Sequence, residues 1–323
     1  MNIRQLIAGV SAAVLALSLA ACGGQGAKDG DQTTDKTTSA ADKPDASGPQ
    51  PTVTGSGKDL HLAFPDAQAP KDLKVWVQQK GSGRAVAETD TVIAHYVGQV
   101  WKNEKPFDSS FSRGAPTGFS LQNVIAGWRQ GLTGLPVGTK AIVSVPPELG
   151  YGSTGNKDAG IGATDVIDFY VEIVDAFGIN QAGDKAAKSE AKVADLPVEL
   201  KGALGEPVTL TVKAGAAQPK ALTHTVIARG SGAAVAEKDT TVYVQYAMSL
   251  WDNSQTEVTY GKSGPQAVPM GSGSVFDSLA GVSVGSRVLI TNAETSGGDS
   301  AQRMPSLAVV VDILGQLATP SAS

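Results

Sequence analysis

Hydrophobic positions beyond residue 60 fall into short runs, broken by clusters of Gly, Pro, Asn, Asp and Ser. Leu73–Val77 alternates as a half-buried strand does, and along Thr91–Trp101 the residues Val92, Ala94, Tyr96 and Gly98 share one face. Lys140–Val145 and Val166–Val174 read as strands, as do Val242–Leu250, Arg287–Thr291 and Leu307–Leu314 later in the chain. Asp108–Gly118 and Pro146–Gly162 read as loops. One stretch departs from this pattern. In Val124–Leu132, Ile125, Trp128 and Leu132 stand at i, i+3 and i+7, on one face of a helix. Gly127 and Gly131 each cost about 1 kcal/mol of helix propensity relative to Ala, and so short a segment does not hold as a helix unaided. The pattern therefore predicts an α+β arrangement, an antiparallel sheet wrapped around one short helix with an indole near its start.

The first 22 residues stand apart. Leu6–Ala21 is uncharged and largely apolar, too short to span a bilayer as a helix and suited to the core of a secretory signal. It ends Leu19-Ala20-Ala21-Cys22-Gly23, which resembles the lipobox of bacterial lipoproteins. That resemblance implies a lipidated Cys22 and an extracytoplasmic protein anchored to the outer face of the cell membrane without spanning it. Cys22 is the one Cys of the chain, so no disulfide and no Cys-based metal site forms within it. Residues 23–58 carry a single large apolar side chain, Val53, and read as a disordered tether. Acids and bases are interspersed at a net charge of −5, which gives no footprint for nucleic acid.

The remainder contains a repeat. Lys80-Gly-Ser-Gly-Arg-Ala-Val-Ala-Glu88 returns as Arg229-Gly-Ser-Gly-Ala-Ala-Val-Ala-Glu237, and Gly134-Leu-Pro-Val-Gly-Thr-Lys140 as Gly281-Val-Ser-Val-Gly-Ser-Arg287. Trp101-Lys-Asn103 matches Trp251-Asp-Asn253, and Val171-Glu-Ile173 matches Val311-Asp-Ile313. A spacing of roughly 150 residues means a duplicated domain, since solenoid repeats run to about 20–50 residues. The expected layout is signal 1–22, tether 23–58, first domain 59–178, linker 179–196, second domain 197–318 and tail 319–323.

No phosphate-binding glycine loop, HExxH or nucleophile elbow is present, and His61, His95 and His224 are scattered. The first copy instead concentrates aromatic and aliphatic side chains at strand and loop junctions. His95-Tyr-Val-Gly98, Pro106-Phe-Asp-Ser-Ser110, Arg113-Gly-Ala-Pro116, Val124-Ile-Ala-Gly-Trp128, Val137-Gly138 and Pro147-Glu-Leu-Gly-Tyr-Gly152 resemble, in order and spacing, the FKBP-type peptidyl-prolyl cis-trans isomerases. The resemblance covers roughly Leu60–Phe177. It implies two tandem FKBP-like domains, each an antiparallel sheet wrapped around one short helix.

It further implies a proline pocket with Trp128 as floor and Tyr96, Phe107, Val124, Ile125 and Phe169 as walls. Tyr151 and Ile161 would close over the substrate, Asp108 would lie beside the twisting amide held by Arg113 and Tyr96, and the Ile125 N–H would take a carbonyl. Neither metal nor cofactor is required. The implied partners are proline-containing exported polypeptides, with macrolide inhibitors as candidate ligands; oligomeric state is left open. Thr117 departs from the family, standing where many members have a wall-forming Phe. A non-catalytic chaperone or adhesin is the rival reading, and a solute-binding lipoprotein is disfavoured by the lack of alternating βα units. In the repeat register Tyr246 keeps the place of Tyr96, but Glu257-Val258 stands at Phe107-Asp108, Val275 at Trp128, Thr295–Gly298 at Glu148–Tyr151 and Val309 at Phe169. The second copy is thus expected to keep its scaffold, lose the pocket and not act as an isomerase.

Overall fold

The computed structural model describes residues 47–294 and 305–319. Its chain divides into two compact units, with the boundary between Ala176 and Phe177. Cys22 and the lipobox lie outside the described residues, as do Thr295–Gly298.

In the N-terminal unit the strands are β1 (Thr52–Thr54), β2 (His61–Ala63), β3 (Lys74–Gln79), β4 (Thr91–Val100), β5 (Asp108–Ser109), β6 (Thr117–Ser120), β7 (Lys140–Val145) and β8 (Ile167–Phe177). β1 and β2 form a hairpin. The other six make one sheet in the order β3-β7-β8-β4-β5, with β6 also paired to β4. Two short helices accompany them, α1 (Ser110–Arg113) and α2 (Ala126–Leu132). Strand alternation sorts side chains between two faces. Val92, Ala94, Tyr96, Phe169 and Val171 join Trp128 and Leu132 of α2 in the main core. Val97, Ile142 and Tyr170 face the opposite side, where Leu60 and Leu62 cover them.

The glycines of α2 have a packing cause. A Cβ on Gly127 would lie 2.3 Å from a methyl of Val145, and one on Gly131 would lie 2.9 Å from a methyl of Val143. The helix backbone rests directly on β7, closer than any side chain allows. Its propensity cost is offset by burying Trp128 and Leu132, at about 1.5–3 kcal/mol for each large side chain.

In the C-terminal unit the strands are β9 (Lys188–Ser189), β10 (Val198–Lys201), β11 (Thr209–Val212), β12 (Thr223–Arg229), β13 (Thr240–Leu250), β14 (Thr256–Val258), β15 (Gln266–Pro269), β16 (Arg287–Asn292) and β17 (Leu307–Ala318). Its sheet runs β14-β13-β17-β16-β12-β9, with β15 on β13, and β10-β11 is a separate hairpin. Read from β12, this order repeats that of the N-terminal sheet.

Several expectations are corrected. The α+β reading with one short helix per domain fails, because strand dominates both units. Among the described residues the N-terminal unit has two α-helices and the C-terminal unit has none. At the place of α2 it has a 3-10 turn, Val275–Leu279, two residues shorter. The stretch read as tether already contains β1, and the stretch read as linker contains β9, which pairs with β12. Both were obscured because a short outer strand carries few apolar residues.

The two hairpins are fastened alike. Gln99 accepts from Leu62 N (2.9 Å) and donates to Leu62 O (3.1 Å). Asn253 accepts from Val212 N (2.9 Å) and donates to Val212 O (2.9 Å). An indole N–H assists in each, Trp101 to Ala67 O (3.4 Å) and Trp251 to Ala216 O (3.2 Å).

Asp168 sits on the hairpin-covered face of β8, opposite Ser144 of β7 and fully buried. Burial pushes its carboxyl from 3.8 up to about 8, the Ser144 hydroxyl offsetting this only in part. The folded chain therefore keeps a proton that the unfolded chain releases, and stability falls as pH rises through that interval, by up to about 1.4 kcal/mol per unit. Urea unfolding of wild type and Asp168→Asn at pH 5 and pH 8 checks this. Wild type should lose markedly more stability between the two values; equal losses would exclude a raised Asp168.

Candidate active site

The site is built on the core face of β4 and the start of α2. Trp128 is 4% exposed and is enclosed by rings at right angles or steeply inclined to it. The centroids of Phe119, Phe169 and Tyr96 lie 4.9, 5.2 and 5.6 Å away, at 63°, 88° and 88°. Phe107 continues the set, 5.8 Å from Phe169 at 86°. Edge-to-face pairs of this kind add about 0.5–1.5 kcal/mol each beyond area burial and fix ring orientation.

A polar corner meets this aromatic box. Gly98 pairs with Asp108 across β4 and β5, which sets the carboxylate beside Tyr96. Ser109 caps α1, accepting from Ser112 N at 3.3 Å, and Gly114 ends that helix at φ 75°, in the left-handed region. This single turn brings Arg113 back over Asp108. The Tyr96 hydroxyl donates to one Asp108 oxygen and Arg113 Nη1 to the other. Arg113 Nη2 also donates to the Tyr96 hydroxyl at 2.8 Å, with its guanidinium 5.6 Å from the ring centre. Burial, then the Asp108 carboxylate, pushes the Tyr96 phenol well above its usual range, so it remains a donor. Burial pulls the Arg113 pKa down, but the bonds to Asp108 and Tyr96 outweigh it. The loop is tied to β4 by Tyr96 N donating to Ser110 Oγ at 2.7 Å.

Tyr151 comes from the loop between β7 and β8. Burial raises its phenol pKa, a hydrogen bond with Asn156 lowers it and the Asp108 charge raises it, which puts the phenol within electrostatic reach of that carboxylate. Ile161 is held by paired bonds with Asn156, both 2.8 Å, and buried in the same core. Val124 and Ile125 line the approach to α2. Ile125 is the N-cap residue and has no side-chain cap, so the first N–H groups of the helix are left for another acceptor. The structure thus gathers Tyr96, Phe107, Val124, Ile125, Trp128, Tyr151, Ile161 and Phe169 in or against one apolar cluster, with Asp108 and Arg113 bonded to its Tyr96.

Two residues join this set that the sequence reading had not placed in it. Phe119, opposite Val92 on β6, packs on both Trp128 and Tyr96, at 5.2 Å from the latter. Gly98 leaves the space into which two rings fit, since a Cβ there would lie 2.6 Å from Phe107 and 2.8 Å from Phe169. Alternation on β4 gave Gly98 its face but could not reveal what occupied it.

A family model for FKBP-type peptidyl-prolyl cis-trans isomerases matches residues 82–174, the stretch that holds this box. The probable FK506-binding protein of Corynebacterium glutamicum is 34% identical over 115 residues, which covers 36% of this chain and 96% of that protein. The chain belongs to the FKBP-type peptidyl-prolyl cis-trans isomerase family. The isomerase FkpA of Escherichia coli K12 is 38% identical over 119 residues, 37% of this chain and 43% of its own length. FK506-binding protein 2 of Candida glabrata is 48% identical over 88 residues, 27% of this chain and 64% of that protein. The chain thus spans less than half the length of the E. coli relative.

The C-terminal unit of this FKBP-family chain corrects the repeat register. Met248 pairs with Glu257 as Gly98 pairs with Asp108, so Glu257 takes the place of Asp108, not of Phe107. The Tyr246 hydroxyl donates to Glu257 at 3.3 Å, and Tyr246 N to Thr259 Oγ1 at 2.9 Å, as Tyr96 N does to Ser110. Phe276, beside Val275, packs 5.8 Å from Tyr246 where Trp128 packs on Tyr96. A tyrosine–carboxylate pair and a smaller aromatic floor therefore persist. What changes is the wall: fully buried Met248 stands at the place of Gly98 and Val309 at that of Phe169.

This exchange predicts coupling in the N-terminal unit. Gly98→Ala should overpack Phe107 and Phe169 and cost about 1–3 kcal/mol. Adding Phe169→Val, which is itself destabilising, should recover part of the loss from Gly98→Ala. Urea unfolding in a double-mutant cycle measures this; strictly additive losses would mean that the rings do not compete for this space.

Proposed function

We propose that the chain is a peptidyl-prolyl cis-trans isomerase acting on proline-containing exported polypeptides, with the site in its N-terminal unit. The observation that carries this reading is the aromatic box around Trp128 with Asp108 at its rim, held by Tyr96 and Arg113.

Rotation about a peptide bond must cross a barrier of about 18–20 kcal/mol, set by amide resonance, and for X–Pro it is slow, on the order of tens to hundreds of seconds unaided. Halfway through, resonance is lost and the amide is less polar than when planar. A dry pocket therefore favours the twisted form over the planar one, which is differential binding of the transition state. In this reading Trp128 supports the prolyl ring and Tyr96, Phe107, Val124, Ile125, Phe119 and Phe169 exclude water around it. The Ile125 N–H takes a carbonyl of the chain, which anchors the backbone on one side of the rotating bond. Tyr151 and Ile161 cover the site from the loop. Asp108 keeps a fixed negative charge beside the twisting carbonyl carbon and, through Tyr96 and Arg113, holds the rim rigid. No bond to the substrate is made or broken.

The same reading places the chain at the outer face of the membrane, held through lipidated Cys22. Macrolide inhibitors are proposed to compete for the prolyl pocket. The C-terminal unit is proposed not to turn over prolyl bonds, since Met248 stands where Gly98 admits two walls.

A protease-coupled assay on a proline-containing peptide tests the central claim. Wild type should accelerate isomerisation, and Asp108→Val and Tyr151→Ala should each lower kcat/KM at least roughly tenfold, about 1.4 kcal/mol of transition-state binding. Far-ultraviolet circular dichroism should be unchanged. No acceleration by folded wild type, or full activity in both variants, would leave the chaperone reading instead.

A further inference from the structure

The corresponding edge strands of the two sheets end differently. In the C-terminal unit β12 is covered by β9, with Ser189 opposite Ala228 and Lys188 opposite Arg229. Glu190 N donates to Ile227 O at 3.0 Å, and the Glu190 carboxylate is gripped by Arg229 through Nε (2.5 Å) and Nη2 (3.0 Å). Ile227 and Ala228 are buried. In the N-terminal unit β3 is the sheet edge. Its register on β7 shifts between Val77 and Gln79, as that of β12 on β16 shifts between Val226 and Ala228. Gln78, Gln79 and Lys80 therefore stand where Ile227, Ala228 and Arg229 do, yet all three are exposed, with Val77 at 45% beside them. Such an open edge ordinarily requires covering.

The chain carries a second version of the covering strand. Ala41-Asp-Lys-Pro-Asp-Ala46 matches Ala186-Ala-Lys-Ser-Glu-Ala191 at an offset of 145 residues, from Lys43 to Lys188. The same offset separates Val53 from Val198, which pair with Leu62 and Val212 in the two fastened hairpins. The match therefore runs without a gap from residue 41 into structure that is already equivalent. Its chemistry fits the edge. Asp45 falls at Glu190 and Lys80 at Arg229, so the acid–base pair is preserved in sign. Pro44 falls at Ser189. Because Glu190 supplies the N–H to β12, alternation turns the Ser189 N–H away from that strand. Proline at this position costs no ladder bond and blunts the new outer edge.

We propose that the open edge of β3 at Gln78–Lys80 is the docking site for residues 43–46 of the same chain, added as an antiparallel strand with Asp45 against Lys80. Residues 43–46 lie outside the described residues. Docking would move the start of the folded unit from β1 to about Lys43. It would also close the edge to client chains and to second copies.

Disulfide trapping tests this in the full chain carrying Cys22→Ser. Pro44→Cys with Gln79→Cys recreates the Ser189–Ala228 pair, a cross-strand distance that a disulfide spans. Mild oxidation should give an intramolecular bond in most molecules, and at least about fivefold less with Thr38→Cys and Gln79→Cys. Equal trapping in the two pairs, or bonds formed only between copies, would overturn the proposal. Amide hydrogen exchange supplies an independent readout. Asp45→Lys and Lys80→Glu should each speed exchange at Gln78–Lys80 severalfold, and their combination should restore protection. Exchange indifferent to Asp45→Lys would also overturn it.

Discussion

The contact of α2 with β7 is the constraint from which the rest of the N-terminal unit follows. With Gly127 and Gly131 pressed on Val145 and Val143, the helix lies lower on the sheet than an ordinary helix could. That low seat brings the Trp128 indole level with the rings of Tyr96, Phe119 and Phe169, so that four aromatic side chains meet at one point. Raising the helix by one methyl group would separate them. The helix is held from outside, by its bed and its rings, and two residues of poor propensity are the condition for that.

Comparison of the two units separates scaffold from site. Strand order, the register of β4 on β5 and the tyrosine–carboxylate pair recur in β13 and β14. The aromatic box does not. Gly98 is compatible with Phe107 and Phe169, and Met248 with the smaller Val309, because one volume can be filled from either direction. A glycine flanked by two rings and a methionine beside a valine are thus alternative packings of the same sheet.

Much of this was legible in the sequence because it is periodic. The strands Lys140–Val145 and Thr91–Val100 were read within a residue of their ends, and the resemblance implied Tyr96 and Phe169 beside Trp128 but not Phe119, the ring nearest to it. What was illegible depended on pairing across space. The repeat register puts Glu257 at the place of Phe107, since inserting one residue in a loop costs nothing on paper, whereas the ladder of β13 and β14 sets it opposite Met248, at the place of Asp108. The α+β expectation failed at Val275–Leu279, where a shortened segment keeps its apolar face and loses its helical turn. β1 and β9 went unread because a short outer strand is stabilised by its partner and carries little apolar signal of its own. Gly98 could be assigned to a face but not to a purpose, as a missing side chain has meaning only when its neighbours are known.

The amide fasteners at the hairpins have an evolutionary consequence. A carboxamide carries the same donor and acceptor as a peptide group, so it can grip one residue's backbone whatever that residue's side chain. Gln99 holds Leu62 from within a strand, and Asn253 holds Val212 from the turn beyond one. The positions differ while the grip is the same. After duplication each hairpin could drift in sequence and still remain attached, provided that one amide somewhere nearby reached one backbone residue. The two amide grips therefore come from different sequence positions, while the indoles that assist them, Trp101 and Trp251, occupy matching ones.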